Sequence, residues 1–391
     1  MSESMDELFY QDEYAREFDA VVVSCTPLKK GFAVVLSDTA FYPEGGGQPA
    51  DHGMLADAHV TDVKRKEGVI LHMTDKALPV GGTVHGVIDW QRRFDFMQNH
   101  SGEHIVSGLV HRKYGYDNVG FHMSDKVTID FNGPLTWEEA IEIEREANQV
   151  LWQNARTLVT YPTKEELTHI DYRSKKELSG TVRLVEFPGA DLCACCGTHV
   201  ERAGEVGVIK MISLMNHRDG VRLELLCGRW AMAYMDQILD ANTAIAQSFS
   251  VKPLKTVEAV EKAQKELVDV SHKLAEANRR YFRMKAASFP KEAVVIDWEE
   301  EMQPGDLRKG CDVLVDMGTA DVYVLLSKGT GDMAYYVIGS AKEDVRPAGK
   351  ALNGMLSGRG GGSKEAVQGT WKGTKEEINE KVRAYFSGVK R

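Results

Sequence analysis

Two short motifs in this chain each carry two side chains that can bind a metal ion. The first reads HSGEH at residues 100–104, and the second reads CCGTH at residues 195–199. A spacing of four residues places both side chains of a pair on one face of a helix. The four candidate ligands are His100, His104, Cys195 and His199. Zinc readily accepts such a set of thiolate and imidazole ligands, so the sequence predicts a zinc site.

The cysteines favour a metal site over a disulfide framework. Among the six cysteines, Cys193, Cys195 and Cys196 lie within four positions, and neighbours this close rarely form a disulfide framework. Metal binding explains such a cluster better. Cys195 is the expected ligand because it lies four residues before His199. Cys193 and Cys196 remain rivals, although adjacent residues rarely both bind one small ion.

Glu103 lies inside the first motif, next to both histidines on a helix surface. We expect it to act as a general base within reach of a metal-bound water. The alternative is that it accepts a hydrogen bond from an imidazole N–H. The motif also fits the H-x-x-E-H pattern of inverzincin peptidases. A peptidase is less favoured because it needs a downstream carboxylate ligand and would leave CCGTH without a role.

The segment before the first motif is typical of a small β-structure. Residues 20–90 contain short β-prone runs separated by Gly, Pro and Asp, which predicts a barrel or a sandwich. The loop FYPEGGGQPADHG at 41–53 contains three consecutive glycines, which let a backbone approach a ligand or a neighbour closely. Asp51 in this loop is a candidate for the metal pocket, with the capping of a turn as the alternative.

An α+β domain is expected to follow and to close near residue 235. Its predicted elements are a helix over 91–114, a hairpin over 118–131, an amphipathic helix over 135–153, and the strands TVRLVEF, GVIKMI and VRLELLCG. Thr136 with Glu139, and Thr163 with Glu166, have the spacing of a capping box at a helix start. Arg183, on the strand before the cysteines, is a candidate for either a phosphate contact or an ion pair.

The C-terminal part has two distinct patterns. Apolar residues alternate three and four apart from Val260 to Met284, a heptad pattern that predicts one long helix. Packing on its own chain and a coiled-coil or helical-hairpin dimer contact explain this pattern about equally well. In residues 291–391, the runs AVVIDW, CDVLVDMG, ADVYVLLSK and MAYYVIGSA are predicted strands. Their alternation with helices indicates an α/β layer.

The charge of the chain is unevenly distributed. The net charge of −10 argues against a nucleic-acid partner, but residues 1–20 alone hold seven acids and one base. Residues 349–391 hold nine bases and four acids, so this part is able to meet a polyanion; solvated helix faces explain the same charges. We find no run of about 18 apolar residues and no apolar signal core. We therefore expect a cytoplasmic protein without a membrane span.

The ordered set of motifs resembles a known family. HSGEHIVSG, NVGFHMSDKVTIDF and CCGTHVERAGEVGVIKM are similar to segments of the editing domain of alanyl-tRNA synthetase. TAFYPEGGGQPADHG resembles the glycine-rich motif that precedes this domain, and GRGGGSKEAVQG resembles its C-terminal DHHA1 module. We recognise no aminoacylation domain, and the layout resembles that of the long free-standing editing proteins called AlaX.

The resemblance implies an α+β fold in four parts. These are a β-barrel-like N-terminal domain over 1–90, an α+β zinc editing domain over 91–235, a helical linker over 236–290 and a DHHA1-like α/β domain over 291–391. By position, the metal ligands of the family fall on the Cys/His₃ set. The family often has Thr where this chain has Glu103, and Asn118 lies nearest to a Gln that many members place after the helix. Both residues are therefore candidates for recognition of the amino acid.

The implied activity is hydrolysis of the ester between an amino acid and the 3′ end of tRNA for alanine, with zinc as cofactor. Serine is the expected misplaced amino acid, with glycine second. Asp51 and Arg183 are further substrate-binding candidates, and Arg359 and Lys364, which flank three glycines, are candidates for contacts with tRNA. A homodimer through the helical linker and the C-terminal domain is expected. The alternative function is a non-catalytic tRNA-binding protein, in which four protein ligands close a structural zinc site.

Overall fold

A computed structural model of the chain describes residues 7–174, 180–289 and 292–388. The chain forms two compact units, Met1–Ala244 and Ile245–Arg391. The division into four domains stays a prediction. Within the described residues, no helix is both long and apolar enough to cross a membrane.

The first unit begins with a closed barrel of six strands. After a short helix α1 (Leu8–Gln11), the strands are β1 (Glu17–Pro27), β2 (Phe32–Leu36), β3 (Gly53–Leu55), β4 (Ala58–Lys66), β5 (Val69–Thr74) and β6 (Thr83–Ile88). They close in the order β1-β2-β5-β4-β3-β6. Side chains of β1 are alternately exposed and buried, with Phe18, Ala20 and Val22 inside, because successive residues of a strand face opposite sides. The predicted β-barrel is confirmed.

The helix that bears HSGEH follows the barrel. This helix, α2 (Trp90–Tyr114), begins where the Asp89 side chain accepts a hydrogen bond from the Arg92 backbone N–H, the usual arrangement of an N-cap. It ends at Gly115, whose φ of 73° is left-handed, a conformation that glycine adopts without strain. All of its residues from Asp95 to Val110 are buried, so both histidines lie inside the protein.

The remaining elements of the first unit surround α2 with two small sheets. In chain order they are β7 (Asn118–Met123), β8 (Val127–Phe131), α3 (Trp137–Gln153), β9 (Leu158–Thr160), α4 (Lys164–Leu167), β10 (Leu184–Phe187), β11 (Asp191–Ala194), β12 (Ile209–His217), β13 (Gly220–Cys227) and α5 (Gly228–Ser248). The sheets have the orders β12-β13-β8-β7 and β11-β10-β9. Both predicted capping boxes are present, at the starts of α3 and α4.

The second unit contains one mixed sheet with helices. Its elements are α6 (Thr256–Ala286), β14 (Val294–Glu299), α7 (Pro304–Met317), β15 (Val322–Lys328), β16 (Met333–Gly339), α8 (Arg346–Met355), β17 (Arg359–Gly362), β18 (Ala366–Lys372) and α9 (Lys375–Gly388). The strand order is β14-β15-β16-β18-β17. The pair β14–β15 is parallel, and the other pairs are antiparallel.

One predicted strand is wrong. The run CDVLVDMG belongs to the helix α7, which starts with Pro304 and ends at Gly318 in the left-handed conformation. Leu307, Cys311 and Leu314 are its buried apolar side chains, and their spacing of four and three residues is that of a helix face. The β-branched residues inside the run concealed this longer periodicity.

The predicted long helix is confirmed as α6, but its apolar positions lie largely at the surface. Leu267, Val270 and Leu274 are 68%, 59% and 52% exposed. Phe282 and Ala286, near the end of the helix, are buried, in one core with residues of α7 and the sheet. The exposed face leaves a dimer contact as a prediction.

Candidate metal centre

The structure brings the four predicted ligands together. The helix α2 places His100 and His104 on one face, and the loop after β11 carries Cys195 and His199. One potential ligand atom of each residue lies within 4.8 Å of the others. The Cys195 Sγ atom is 3.5 Å from His100 Nε2 and 3.4 Å from His199 Nε2. The three imidazoles are at most 2% exposed, so an ion at this place would be enclosed by protein.

Each imidazole is held through its Nδ1 atom, on the side away from the cluster. The pairs are His100 with Gln48 Oε1 at 2.9 Å, His104 with Asp191 Oδ2 at 3.0 Å, and His199 with Ser101 Oγ at 3.1 Å. An acceptor at Nδ1 keeps the ring proton there and leaves the Nε2 lone pair free for an ion. None of these three partners was predicted from the sequence.

Gln48 connects the glycine-rich loop to the metal cluster. Its Oε1 atom accepts hydrogen bonds from His100 Nδ1 and, at 3.1 Å, from the Thr198 backbone N–H, while its Nε2 atom donates to Thr198 Oγ1 at 2.8 Å. Close approach also requires Gly197, because a Cβ atom there would lie 2.1 Å from His100 Cε1. The position of Gln48 directly after three glycines was the signal that could have identified it.

Asp191 orients His104 and is itself held by an arginine. Arg173 donates to both carboxylate oxygens of Asp191, at 2.7 and 2.8 Å. Burial acts to raise the pKa of Asp191, but hydrogen bonds from His104 and Arg173 outweigh it and lower this pKa. The carboxylate therefore stays charged beside the cluster. Cys193 also lies within ligand distance of His104 and Asp191, but burial raises the pKa of its thiol.

The electrostatics of the cluster fit a cation. Burial acts against a thiolate at Cys195, yet the charges of His100, His104 and His199 hold its pKa well below the ordinary value. Burial also opposes a charge on His104, but the Cys195 thiolate and Asp191 raise its pKa to about 9. Burial and the charge of His100 lower the pKa of His199 to about 3. Without a metal ion, the His104 imidazolium thus lies between the Cys195 thiolate and the Asp191 carboxylate, and binding of zinc would displace its Nε2 proton.

Glu103 and Asn118 lie together in the core. Glu103 is fully buried, and its Oε1 atom accepts hydrogen bonds from Ser107 Oγ at 2.6 Å and from Asn118 Nδ2 at 2.5 Å. Asn118 also donates to Ser107 Oγ at 3.2 Å. The two recognition candidates therefore form one hydrogen-bonded cluster, and their roles toward a substrate stay predictions.

Asp51 and Arg183 both form buried ion pairs. The Asp51 carboxylate accepts hydrogen bonds from Arg93 Nε at 3.0 and 2.9 Å and from the Tyr42 backbone N–H at 2.7 Å. Arg183 pairs with Glu13. Of the two alternatives left open for Arg183, the structure shows the ion pair, and a contact of either residue with substrate stays a prediction.

The two predicted tRNA contacts lie in the second unit. Arg359 begins β17, and the Lys364 side chain is 70% exposed, 3.5 Å from Glu365 Oε1. The three glycines between them form a strand paired with β18. A Cβ atom at Gly360 would lie 2.3 Å from Gln368 O, so close strand pairing accounts for glycine at that position.

Two sequence families match parts of the chain. Residues 11–92 match the family described as tRNA synthetases class II (A). Residues 182–223, which include CCGTH, match the threonyl and alanyl tRNA synthetase second additional domain. The two matches cover the barrel and the loop after β11, the parts that supply Gln48, Cys195 and His199.

Individual relatives match more of the chain. It is 35% identical to the alanine–tRNA ligase of Ignicoccus hospitalis over 70% of its own length, but it spans only 31% of that relative. It is 27% identical to the alanyl-tRNA editing protein AlaX-L of Pyrococcus horikoshii, covering 98% of this chain and 99% of that one. It is 28% identical to the alanyl-tRNA editing protein Aarsd1 of Rattus norvegicus, covering 96% of each. The resemblance predicted from the motifs is therefore confirmed, and the chain is similar to the alanyl-tRNA editing proteins over nearly its whole length.

Proposed function

We propose that this chain is a zinc-dependent hydrolase that cleaves the ester between a misplaced amino acid and the 3′ end of tRNA(Ala). The observation that carries the proposal is the Cys/His₃ cluster, in which each of the three imidazoles is held at its Nδ1 atom by a separate partner outside the cluster. The relatives that match nearly the full length of the chain are named alanyl-tRNA editing proteins, which supports the choice of substrate.

In this proposal, the four ligands are His100, His104, Cys195 and His199. A zinc ion bound there would polarise the ester carbonyl or lower the pKa of a bound water once substrate binding opens a ligand position. The chain itself orients the ligands through Gln48, Asp191 and Ser101. The charged partner of Asp191 is Arg173, so removal of either one leaves the other buried without its counter-charge.

Selection of serine is assigned to Glu103 and Asn118, which are joined by a hydrogen bond. A site built to hydrogen-bond a hydroxyl group discriminates strongly against the analogue that lacks it. Serine carries such a hydroxyl and alanine does not, so the correct aminoacyl-tRNA would be spared. Glycine, the second expected amino acid, lacks the hydroxyl and should be hydrolysed more slowly. Asp51 and Arg183 already form ion pairs with Arg93 and Glu13. Their proposed contribution to substrate binding is therefore to hold the site in shape.

Recognition of tRNA is assigned to the second unit, with Arg359 and Lys364 as contacts. The side chains of Arg359 and Lys364 would neutralise phosphates of the tRNA. The exposed apolar face of α6 is proposed as a contact between two copies of the chain.

The test is deacylation of Ser-tRNA(Ala), Gly-tRNA(Ala) and Ala-tRNA(Ala) by the purified full chain. We expect rapid release of serine and slow release of alanine. Equal rates for serine and alanine would refute an editing function. Tight binding of tRNA without hydrolysis of any of the three esters would instead support the alternative, a tRNA-binding protein with a structural zinc.

A further inference from the structure

The segment that precedes the barrel contacts the loop that carries two of the proposed metal ligands. We define the N-terminal segment as residues 7–16 and the ligand loop as residues 195–199. Tyr10 Oη donates a hydrogen bond to the Cys196 carbonyl at 2.9 Å. The ligand loop has neither helix nor strand, so its conformation depends on contacts of this kind.

Glu13 is the residue of the N-terminal segment that engages the ligand loop most directly. One carboxylate oxygen accepts a hydrogen bond from the backbone N–H of His199, and the other accepts one from Arg183 Nη2. The Glu13 backbone carbonyl is held in turn by Arg93 Nη1 at 2.9 Å. Glu13 is therefore held at its backbone, while one carboxylate oxygen contacts the ligand loop and the other contacts Arg183.

Arg183 extends this contact to the rest of the ligand loop. The residue is 2% exposed. Its Nη1 atom donates hydrogen bonds to the carbonyls of Cys195 and Gly197, each at 3.0 Å. Its own backbone carbonyl accepts a hydrogen bond from the Cys195 N–H at 3.0 Å. The ion pair of Glu13 and Arg183 thus binds backbone groups on both sides of Cys195 and at His199.

We propose that Glu13 and Arg183 are positioning residues that set the geometry of Cys195 and His199 as metal ligands. The proposal rests on the proposed zinc site. A buried ion pair is costly to break on one side, because the remaining charge is left without its partner. Removal of Glu13 therefore leaves Arg183 to rearrange, and the carbonyls of Cys195 and Gly197 move with it. The N-terminal segment becomes a part of the metal centre.

A simpler explanation is that the pair only attaches the N-terminal segment to the protein. Tyr14 offers a matched control, because it attaches the same segment at a different place. Its hydroxyl group donates to Glu205 and accepts from the Glu201 N–H, and neither residue belongs to the ligand loop. Tyr14→Phe removes those hydrogen bonds and leaves Glu13 and Arg183 in place.

The experiment compares the wild type with Glu13→Gln, Arg183→Met and Tyr14→Phe as full chains. One readout is the zinc affinity, measured by competition with a chromogenic chelator. The other is the absorption spectrum after exchange to cobalt(II), in which ligand-field and thiolate charge-transfer bands report the geometry of the site. We expect Glu13→Gln and Arg183→Met to weaken zinc binding about 10- to 100-fold and to change the cobalt bands. Tyr14→Phe should match the wild type in both.

The outcomes separate this inference from the proposed function. If Glu13→Gln and Arg183→Met both fold and keep the zinc affinity and the cobalt bands of the wild type, the positioning role is overturned. Equal losses in Tyr14→Phe would also overturn it, because attachment of the segment would then be sufficient. Absence of stoichiometric zinc or cobalt binding in the wild type would refute the metal site itself. If Arg183→Met fails to fold, Arg183→Lys keeps the charge opposite Glu13 but cannot span both carbonyls, and the same affinity loss is expected.

Discussion

Cys195 supplies the thiolate of the proposed zinc site, and its neighbours make it a different kind of cysteine from Cys193. Three histidines lower the pKa of the Cys195 thiol, whereas burial raises that of Cys193. A metal ligand must be a thiolate. The lowered pKa therefore favours Cys195 over Cys193 as the zinc ligand, and the four-residue spacing to His199 favours the same residue.

The first prediction concerns these two cysteines. Purified protein should contain about one zinc per chain, as expected of one four-ligand site. Cys195→Ala should lose most of this zinc, because one of the four donors is removed. Cys193→Ala, the control, should retain it. Metal analysis by mass spectrometry measures both, and full zinc retention in Cys195→Ala would exclude it as a ligand.

The second prediction concerns Glu103. If Glu103 is a general base, the variant Glu103→Gln should keep its zinc but deacylate about 100-fold more slowly, which is the usual size of such a contribution. Ser107→Ala is the control, because it removes one hydrogen bond to the Glu103 carboxylate and leaves the carboxylate in place. Single-turnover rates of deacylation of Ser-tRNA(Ala) measure the effect of both substitutions. A nearly wild-type rate in Glu103→Gln would rule out the base and leave recognition of the amino acid as its role.

The clustering of the four proposed ligands could be predicted from the sequence, but the partners that hold the three imidazoles could not. His100 with His104, and Cys195 with His199, are local pairs whose spacing is visible along the chain. Gln48, Asp191 and Ser101 are 52, 87 and 98 residues from the histidines they hold. Such contacts depend on the packing of separate elements, for which no local spacing exists.

At the scale of elements, the barrel supplies a loop to the metal centre. The third prediction is that Gln48→Ala weakens zinc binding about 10- to 100-fold, because His100 loses the acceptor that orients its ring. Glu44→Ala, an exposed position in the same loop, is the control and should bind zinc as the wild type does. Competition with a chelator measures both affinities. Unchanged affinity in Gln48→Ala would show that packing alone orients His100.

The accuracy of the predicted elements follows from how local their signals are. The helices α2 and α3 have clear starts, because Asp89 and Thr136 cap them within one turn. The run CDVLVDMG failed because its β-branched residues favour a strand, while the spacing of Leu307, Cys311 and Leu314 becomes visible only over a longer window. The three glycines after Arg359 belong to strand β17, which pairs with β18, and the sequence did not predict this strand.

At the scale of the whole molecule, the two compact units divide the chain after Ala244. The metal cluster and the residues that hold it lie in the first unit. The basic C-terminal region and the exposed apolar face of α6 lie in the second. The boundary lies inside the helix α5, which ends at Ser248. A chain cut just after this helix would therefore keep α5 whole and separate the proposed chemistry from the proposed recognition of tRNA.

The last prediction is that a chain ending at residue 250 folds and keeps its zinc but binds tRNA more weakly. Its affinity should also depend less steeply on salt, because the slope reports the number of phosphates neutralised. It should lose any dimer that rests on α6, whose Leu267 and Val270 are more than half exposed. In the full chain, the pair Arg359→Ala and Lys364→Ala should reduce the salt slope by about 1 to 2 while any dimer remains. Filter binding at several salt concentrations and analytical ultracentrifugation measure these quantities. Unchanged affinity and salt slope in the shortened chain would place the recognition surface in the first unit.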